Sequence, residues 1–359
     1  MRKVFTLIVI TAIILILIFI AIKDNFNLKK IITDIEKQND LTITLNNESK
    51  WNYYPFIKLN NNITIKDNAN FFIINNADVD IRKNYWPTSP IKINLTSPSI
   101  NVEGIQLRNA IIKSSYKNKK IFIEKISSKL IEGNINAQGK INIENEIPFD
   151  IHGSFKNISL NLLMNQAKIA TWDRVNIKIS SPNFNLSGTL KKNKGFNKNL
   201  KGNVPINGSI FFVSTEEERF GAALLSLLVD KLPELSSISN SVSFLLTKFS
   251  NIPSSVHGTL IINEGLISTQ DMLIENNQGR ASLTATLNIE TDIINGKINF
   301  YEDDETYLEA TLKGSIKNPQ ILVGGKIIAE ENNDTPRDIK KLFEEGINSL
   351  VDKLLRTND

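Results

Sequence analysis

Apolar and polar residues alternate one by one through most of this chain, and that period of two confines the bulk of it to β-structure. Leu41-Thr42-Ile43-Thr44-Leu45 reads this way, as do Ile91-Lys92-Ile93-Asn94-Leu95 and Ile141-Asn142-Ile143. The pattern returns at Val175-Asn176-Ile177-Lys178-Ile179 and runs longest over residues 281–289. Successive side chains on a strand point to opposite faces, so each segment sets Ile, Leu or Val on one face and Asn, Lys, Thr or Ser on the other. Turn signals separate the runs at Glu132-Gly133-Asn134, Gln138-Gly139, Asn203, Asn207-Gly208, Asn263-Glu264-Gly265, Asn295-Gly296 and Asn318-Pro319. The expected fold is mainly β: a long curved antiparallel sheet, open as a groove or closed as a sandwich, with a few amphipathic helices.

One segment departs from this at the start. Residues 4–22 are 19 consecutive positions without a charge, with Thr6 and Thr11 their only polar side chains. A helix of that length spans roughly 28 Å, close to the thickness of a hydrocarbon core. Arg2 and Lys3 would also serve as the n-region of a signal peptide. The run, however, exceeds a usual h-region and no small-x-small pair follows it, so an uncleaved transmembrane anchor is the expectation. Arg2 and Lys3 favour a cytoplasmic N-terminus. Lys23, Lys29 and Lys30 weigh the other way, but long following domains translocate largely regardless of charge, so the body is expected outside the cytoplasm.

Helical periodicity appears in four more places. Leu28, Ile31, Ile32 and Ile35 share one face of a short helix. Thr215 caps a second, with Glu216, Glu217 and Glu218 at its positive end and an apolar face of Phe220, Leu224, Leu225, Leu227 and Leu228 running to Pro233. A third is expected over 238–249. The last opens with Thr335 as cap, Pro336 at the first helical position and Asp338 three residues after the cap. Its stripe of Ile339, Leu342, Phe343, Ile347, Leu350, Val351, Leu354 and Leu355 fits packing on the sheet, or docking on a membrane surface or on a partner through Leu342, Leu350 and Leu354. The chain thus divides into an anchor (1–23), a first β region (24–214), an apolar helical pair (215–252), a second β region (253–330) and a C-terminal amphipathic helix (331–359).

Chemistry is sparse. There are 359 residues and no cysteine, which removes disulfides, thiol nucleophiles and thiolate zinc sites. The 42 basic and 38 acidic side chains are interspersed along the chain, without the basic-aromatic run of a nucleic-acid binder. The two histidines, His152 and His257, each stand alone in a strand-like run, without a third metal ligand at a recognisable spacing. Glu302-Asp303-Asp304-Glu305 lacks calcium-loop spacing and reads as a solvated hairpin tip. No nucleophile elbow, phosphate loop or dinucleotide fingerprint occurs. Neither an enzyme nor a cofactor is expected. What remains is an apolar sheet face larger than the helices can cover, and leaving it wet costs roughly 25 cal/mol per Å². Either the sheet closes on itself, as in a scaffold, or its face lines a trough filled by acyl chains, with Ile91, Ile93, Leu95, Ile141, Ile143, Leu283, Leu287 and Ile289 as lining residues.

The layout resembles the AsmA family of bacterial envelope proteins. Asp24-Asn25-Phe26-Asn27-Leu28-Lys29-Lys30 followed by Leu41-Thr42-Ile43-Thr44 looks like that family's N-terminal lead-in, and Pro55-Phe56-Ile57-Lys58-Leu59 its proline-led strand. Residues 256–266, Gly279-Arg280-Ala281-Ser282-Leu283 and Leu312-Lys313-Gly314-Ser315-Ile316-Lys317-Asn318-Pro319 are similar to its C-terminal strands. Arg280 departs from the pattern, standing where a second small residue follows the glycine, and the chain is shorter than the better-known members. The resemblance implies a single-pass inner-membrane anchor, a periplasmic body related to the repeating-β-groove lipid-transfer proteins, and a part in phospholipid movement and outer-membrane assembly. Phospholipids or other envelope lipids, the inner membrane and protein partners in the outer membrane or periplasm are the expected contacts.

Overall fold

The computed structural model describes residues 41–46, 50–52, 57–67, 72–84, 86, 88–102, 104–143, 147–168, 174–190, 199–214, 216 and 236–330. The anchor expected at 4–22, the short helix expected to hold Leu28, most of the helix expected after Thr215, and the C-terminal helix expected to present Leu342, Leu350 and Leu354 fall outside these residues. Among the described residues no helix is long and apolar enough to cross a membrane. They are mainly strand, and every pairing between consecutive strands described below is antiparallel. Two compact units divide the chain: Met1–Lys168, Ser180–Val204 and Ile262–Gly265 in the first, and Ile169–Ile179, Pro205–Ile261 and Leu266–Asp359 in the second.

The first unit is a meander of β3 (Ile57–Asp67), β4 (Phe72–Lys83), β5 (Ile91–Val102), β6 (Ile105–Lys117), β7 (Lys120–Leu130), β8 (Gly133–Asn142) and β9 (Ile147–Ser159), each paired with the next. Two short strands, β1 (Leu41–Leu45) and β2 (Lys50–Asn52), lie end to end along the other edge of β3. After β9 comes one short helix, α1 (Leu160–Gln166), begun by the Ser159 hydroxyl accepting the Leu162 N–H. In this sheet the alternation does what it implies: on β5 the odd positions from Ile91 to Ser97 are buried and the even ones are not.

A line of irregularity crosses three of these strands. Asn76, Pro98 and Asn109 fall side by side in the register, Asn76 and Asn109 have left-handed φ of 45° and 51°, and Pro98 has no N–H to give. Extra residues bulge β4 against β3 and β6 against β7 at the same level. Bulges bend strands and raise their twist, so the line folds the sheet across its own strands. The carbonyls it frees are met from the buried face by two serines. Ser97 Oγ lies 2.8 Å from the carbonyl oxygens of both Asn75 and Ser99, and Ser128 Oγ donates to that of Arg108 at 2.9 Å.

Three strands contribute residues to both units: β10 (Val175–Leu190), β11 (Lys201–Phe212) and β12 (Ser254–Asn263). The second unit continues with β13 (Leu266–Glu275), β14 (Arg280–Asn288), β15 (Ile293–Glu302), β16 (Glu305–Ser315), β17 (Asn318–Val323) and β18 (Lys326–Glu330), again each paired with the next. The helix α2 (Ser236–Lys248) packs Val242 and Phe244, with Phe249 just beyond its end, against Ala281, Ile298, Phe300 and Ala310. Its C-terminal end is pinned. Ser250 Oγ donates to the Leu246 carbonyl at 2.6 Å, Ser214 and Ser250 share a 3.0 Å hydrogen bond, and the Asn251 N–H donates to the Phe212 carbonyl at 2.7 Å.

Four of the expected turns are not turns. Gln138-Gly139, Asn203, Asn207-Gly208 and Asn295-Gly296 lie within β8, β11, β11 and β15. The glycines answer to close approach between neighbouring backbones. A Cβ on Gly139 would stand 2.2 Å from the Asp150 carbonyl oxygen, and one on Gly296 would stand 2.6 Å from that of Thr284. The true turns at Ile131-Glu132, Glu264-Gly265 and Asp303-Asp304 use left-handed residues, as tight hairpins require.

Candidate functional site

Each unit carries one apolar sheet face, and the two faces differ in how far they are closed. In the first unit the register stacks Val79, Leu95, Ile112, Ile126 and Ala137 in one cross-strand row. A second row runs Ile91, Tyr116, Ile121, Ile141 and Phe149, and Ile93 lies between Ile81 and Ser114 in a third. Of the predicted lining residues, Ile91, Ile93, Leu95 and Ile141 therefore share this face, with Leu95 and Ile141 at 0% exposure. Ile143 falls just past the end of β8, half-buried, its N–H donating to the Lys119 carbonyl at 2.7 Å. The helix touching β6 and β9 is α1, seven residues long.

In the second unit the rows run from covered to open. Ile274, Ala281, Phe300 and Leu308 lie in register, followed by Met272, Leu283, Ile298 and Ala310. These are the rows under α2, and their small residues Ala281 and Ala310 let the helix sit close. Next come Ala285, Gly296, Leu312 and Ile321, then Ile267, Leu287, Ile294 and Gly314. Here Ala285 stands directly opposite Gly296. That pair lowers the floor between the larger Leu283/Ile298 and Leu287/Ile294 pairs. Leu283, Leu287, Ile294, Leu312 and Ile321 are only half-buried. Leu283 and Leu287 thus share a face as the alternation implied, whereas Ile289 lies beyond β14 in the turn.

Ile294, Leu312 and Ile321 belong to this strip and were not among the predicted lining residues. The signal for Ile294 is Ile294-Asn295-Gly296-Lys297-Ile298-Asn299-Phe300, an alternation hidden by reading Asn295-Gly296 as a turn.

The polar groups form no comparable constellation. His152 is exposed on β9, and His257 Nδ1 is 3.1 Å from Asn207 Oδ1. Among the described residues, no three His, Cys, Asp or Glu side chains are grouped to hold a metal. The acidic stretch 302–305 is an exposed hairpin tip whose Glu302 and Asp304 pair with Lys248 at 3.4 Å and Arg280 at 2.7 Å. The polar hollow of about 320 Å³ beside it is lined by the same ion pairs with Glu275 and Asn276. Arg82 chelates Asp80 through Nε, at 3.0 and 3.1 Å from its two oxygens, and this hydrogen-bonded carboxylate raises the guanidinium above its ordinary pKa.

Set against protein-family models, curated proteins and solved structures, the chain matches none.

Proposed function

We propose that this protein is a non-enzymatic lipid-binding protein of a bacterial periplasm, anchored in the inner membrane by residues 4–22 and moving phospholipid in outer-membrane biogenesis. The observation that carries this reading is the half-buried apolar strip Leu283, Leu287, Ile294, Leu312 and Ile321, in which Leu283, Leu312 and Ile321 pack against the core under α2 and Leu287 and Ile294 carry the apolar surface beyond that core. An acyl chain gains about 0.8 kcal/mol for each methylene it buries, so ten methylenes on such a strip outweigh most single interactions in the fold. The trough at Ala285 and Gly296 suits an unbranched chain, and head groups remain in water at its rim. The resemblance to AsmA proteins points the same way.

The test is phospholipid retained by the full chain after purification in detergent. Leu287→Asp and Ile294→Asp set a carboxylate in the acyl path at a cost of several kcal/mol, and roughly stoichiometric lipid should fall to background. Thr286→Asp, on the wet face of the same strand, should change nothing. Equal retention in all three would overturn the reading.

A second reading has one observation in its favour. The first unit's face is closed to water, which is what a scaffold with a dry interior would have. An assembly factor acting on outer-membrane proteins through its sheet edges would then be the function, and the Asp variants would leave lipid content unaltered.

A further inference from the structure

We infer that the hairpin ends of the first unit form a docking surface for an anionic phospholipid bilayer. The sheet brings together lysines that the sequence keeps apart. The β4–β5 and β6–β7 connections leave the same end of the sheet, because Ile91 pairs with Tyr116 one residue from the β6–β7 tip. On the wet face Arg82, Lys92, Ser115, Phe122 and Lys140 follow one another across five strands. Beyond them lie Lys117, Lys119 and Lys120, all exposed.

Two features of this surface run against the stability of the sheet. Lys117 pairs directly with Lys120, and Lys113 with Lys125. Like charges directly opposite on neighbouring strands repel. Lys119 also adopts φ 58° in the turn, a conformation that glycine reaches without strain. Of the described acids near this surface, Asp80 pairs with Arg82 and Lys58 and Asp150 with Lys140, while Glu124 stands exposed beside Lys125, so lysines outnumber the acids left to meet them. Lys92, Lys117, Lys119 and Lys120 form no ion pair among the described residues. An excess of exposed lysines held against mutual repulsion fits a polyanionic partner.

The aromatics choose which polyanion. Trp86, 77% exposed, projects from the β4–β5 connection, and Phe122, 44% exposed, stands among the lysines. Exposed apolar rings flanked by long lysine stems suit the headgroup boundary, where stems lie along apolar matter and ammonium groups reach phosphate. The apolar run at 4–22 brings the chain to a membrane on the reading above. The 18 residues between Ile22 and Leu41 extend to at most about 60 Å, more than the roughly 36 Å length of an 11-residue strand, so either end of the sheet can reach the bilayer. This surface faces away from the apolar side of the sheet, so it stands or falls independently of acyl-chain binding there.

The test uses the full chain with Thr88→Cys, a unique thiol in a protein without cysteine, carrying a fluorophore beside Trp86. The chain is reconstituted into vesicles of phosphatidylcholine alone or with about a third phosphatidylglycerol, each containing a headgroup-labelled quencher lipid. Quenching should be several-fold stronger with the anionic lipid and should vanish near 1 M salt, where the screening length is about 3 Å. Lys117→Gln, Lys119→Gln and Lys120→Gln should each weaken it about fivefold, the equivalent of about 1 kcal/mol per lysine. Equal quenching in both lipid compositions, or quenching indifferent to salt in the unmodified chain, overturns the inference. So does protection of the label by a single-stranded oligonucleotide but not by anionic vesicles.

Discussion

Ser97 shows how one residue can hold a fold line in place. It sits among Ile and Leu at 0% exposure, where valine would pack as well, yet its hydroxyl serves the carbonyls of Asn75 and Ser99 at the level where Pro98 interrupts the ladder. Removing a buried partner strands the group it satisfied, at about 1–3 kcal/mol. Ser97→Val should therefore lower unfolding stability by that amount in a denaturant titration, despite being more apolar, and an unchanged or raised midpoint would show the hydroxyl to be dispensable. A serine in an Ile-rich run reads as wet-face noise until the register lines Pro98 up with Asn76 and Asn109. That alignment depends on partners more than ten residues away in either direction, and local periodicity does not reach so far.

At the scale of elements, α2 decides how much of the second unit's face is open. Phe244 stacks on Tyr307 at 4.7 Å between ring centres and meets Phe300 edge-on at 6.2 Å, and the helix end is tied down through Ser250, Asn251 and Asn276. Phe244→Ala removes the central ring and should cost about 3–5 kcal/mol of stability in that unit. If acyl chains use this face, the same variant should retain more phospholipid, because the rows at Ala281 and Ala310 open as well; retention at or below the unmodified level would count against a shared face. The helix was legible in the sequence from its 3.6-residue period over 238–249. Strands β1, β5, β10 and β14 were legible from alternation. The short helix α1 was not, since seven residues hold too little periodicity to stand out among strands. The mid-strand glycines misled for a physical reason: glycine serves a close backbone approach as readily as a turn, and only the neighbouring strand at Asp150 or Thr284 distinguishes the two.

At the scale of the whole molecule, the predicted lining residues sort into two environments that the sequence writes identically. Ile91, Ile93, Leu95 and Ile141 are closed off, whereas Leu283 and Leu287 are half-open, and nothing in an alternating Ile/Leu pattern tells the two apart. The difference comes from what packs over each face, a property of the assembled fold. The lipid reading therefore rests on the second unit, and there it makes its most direct prediction. A photo-crosslinking residue at Leu287 of the full chain, activated in cells and followed by mass spectrometry, should yield a phospholipid adduct. The same residue at Thr286, one position along and on the wet face, should yield none. Adducts at both positions alike, or at neither, would contradict the claim that this strip carries acyl chains.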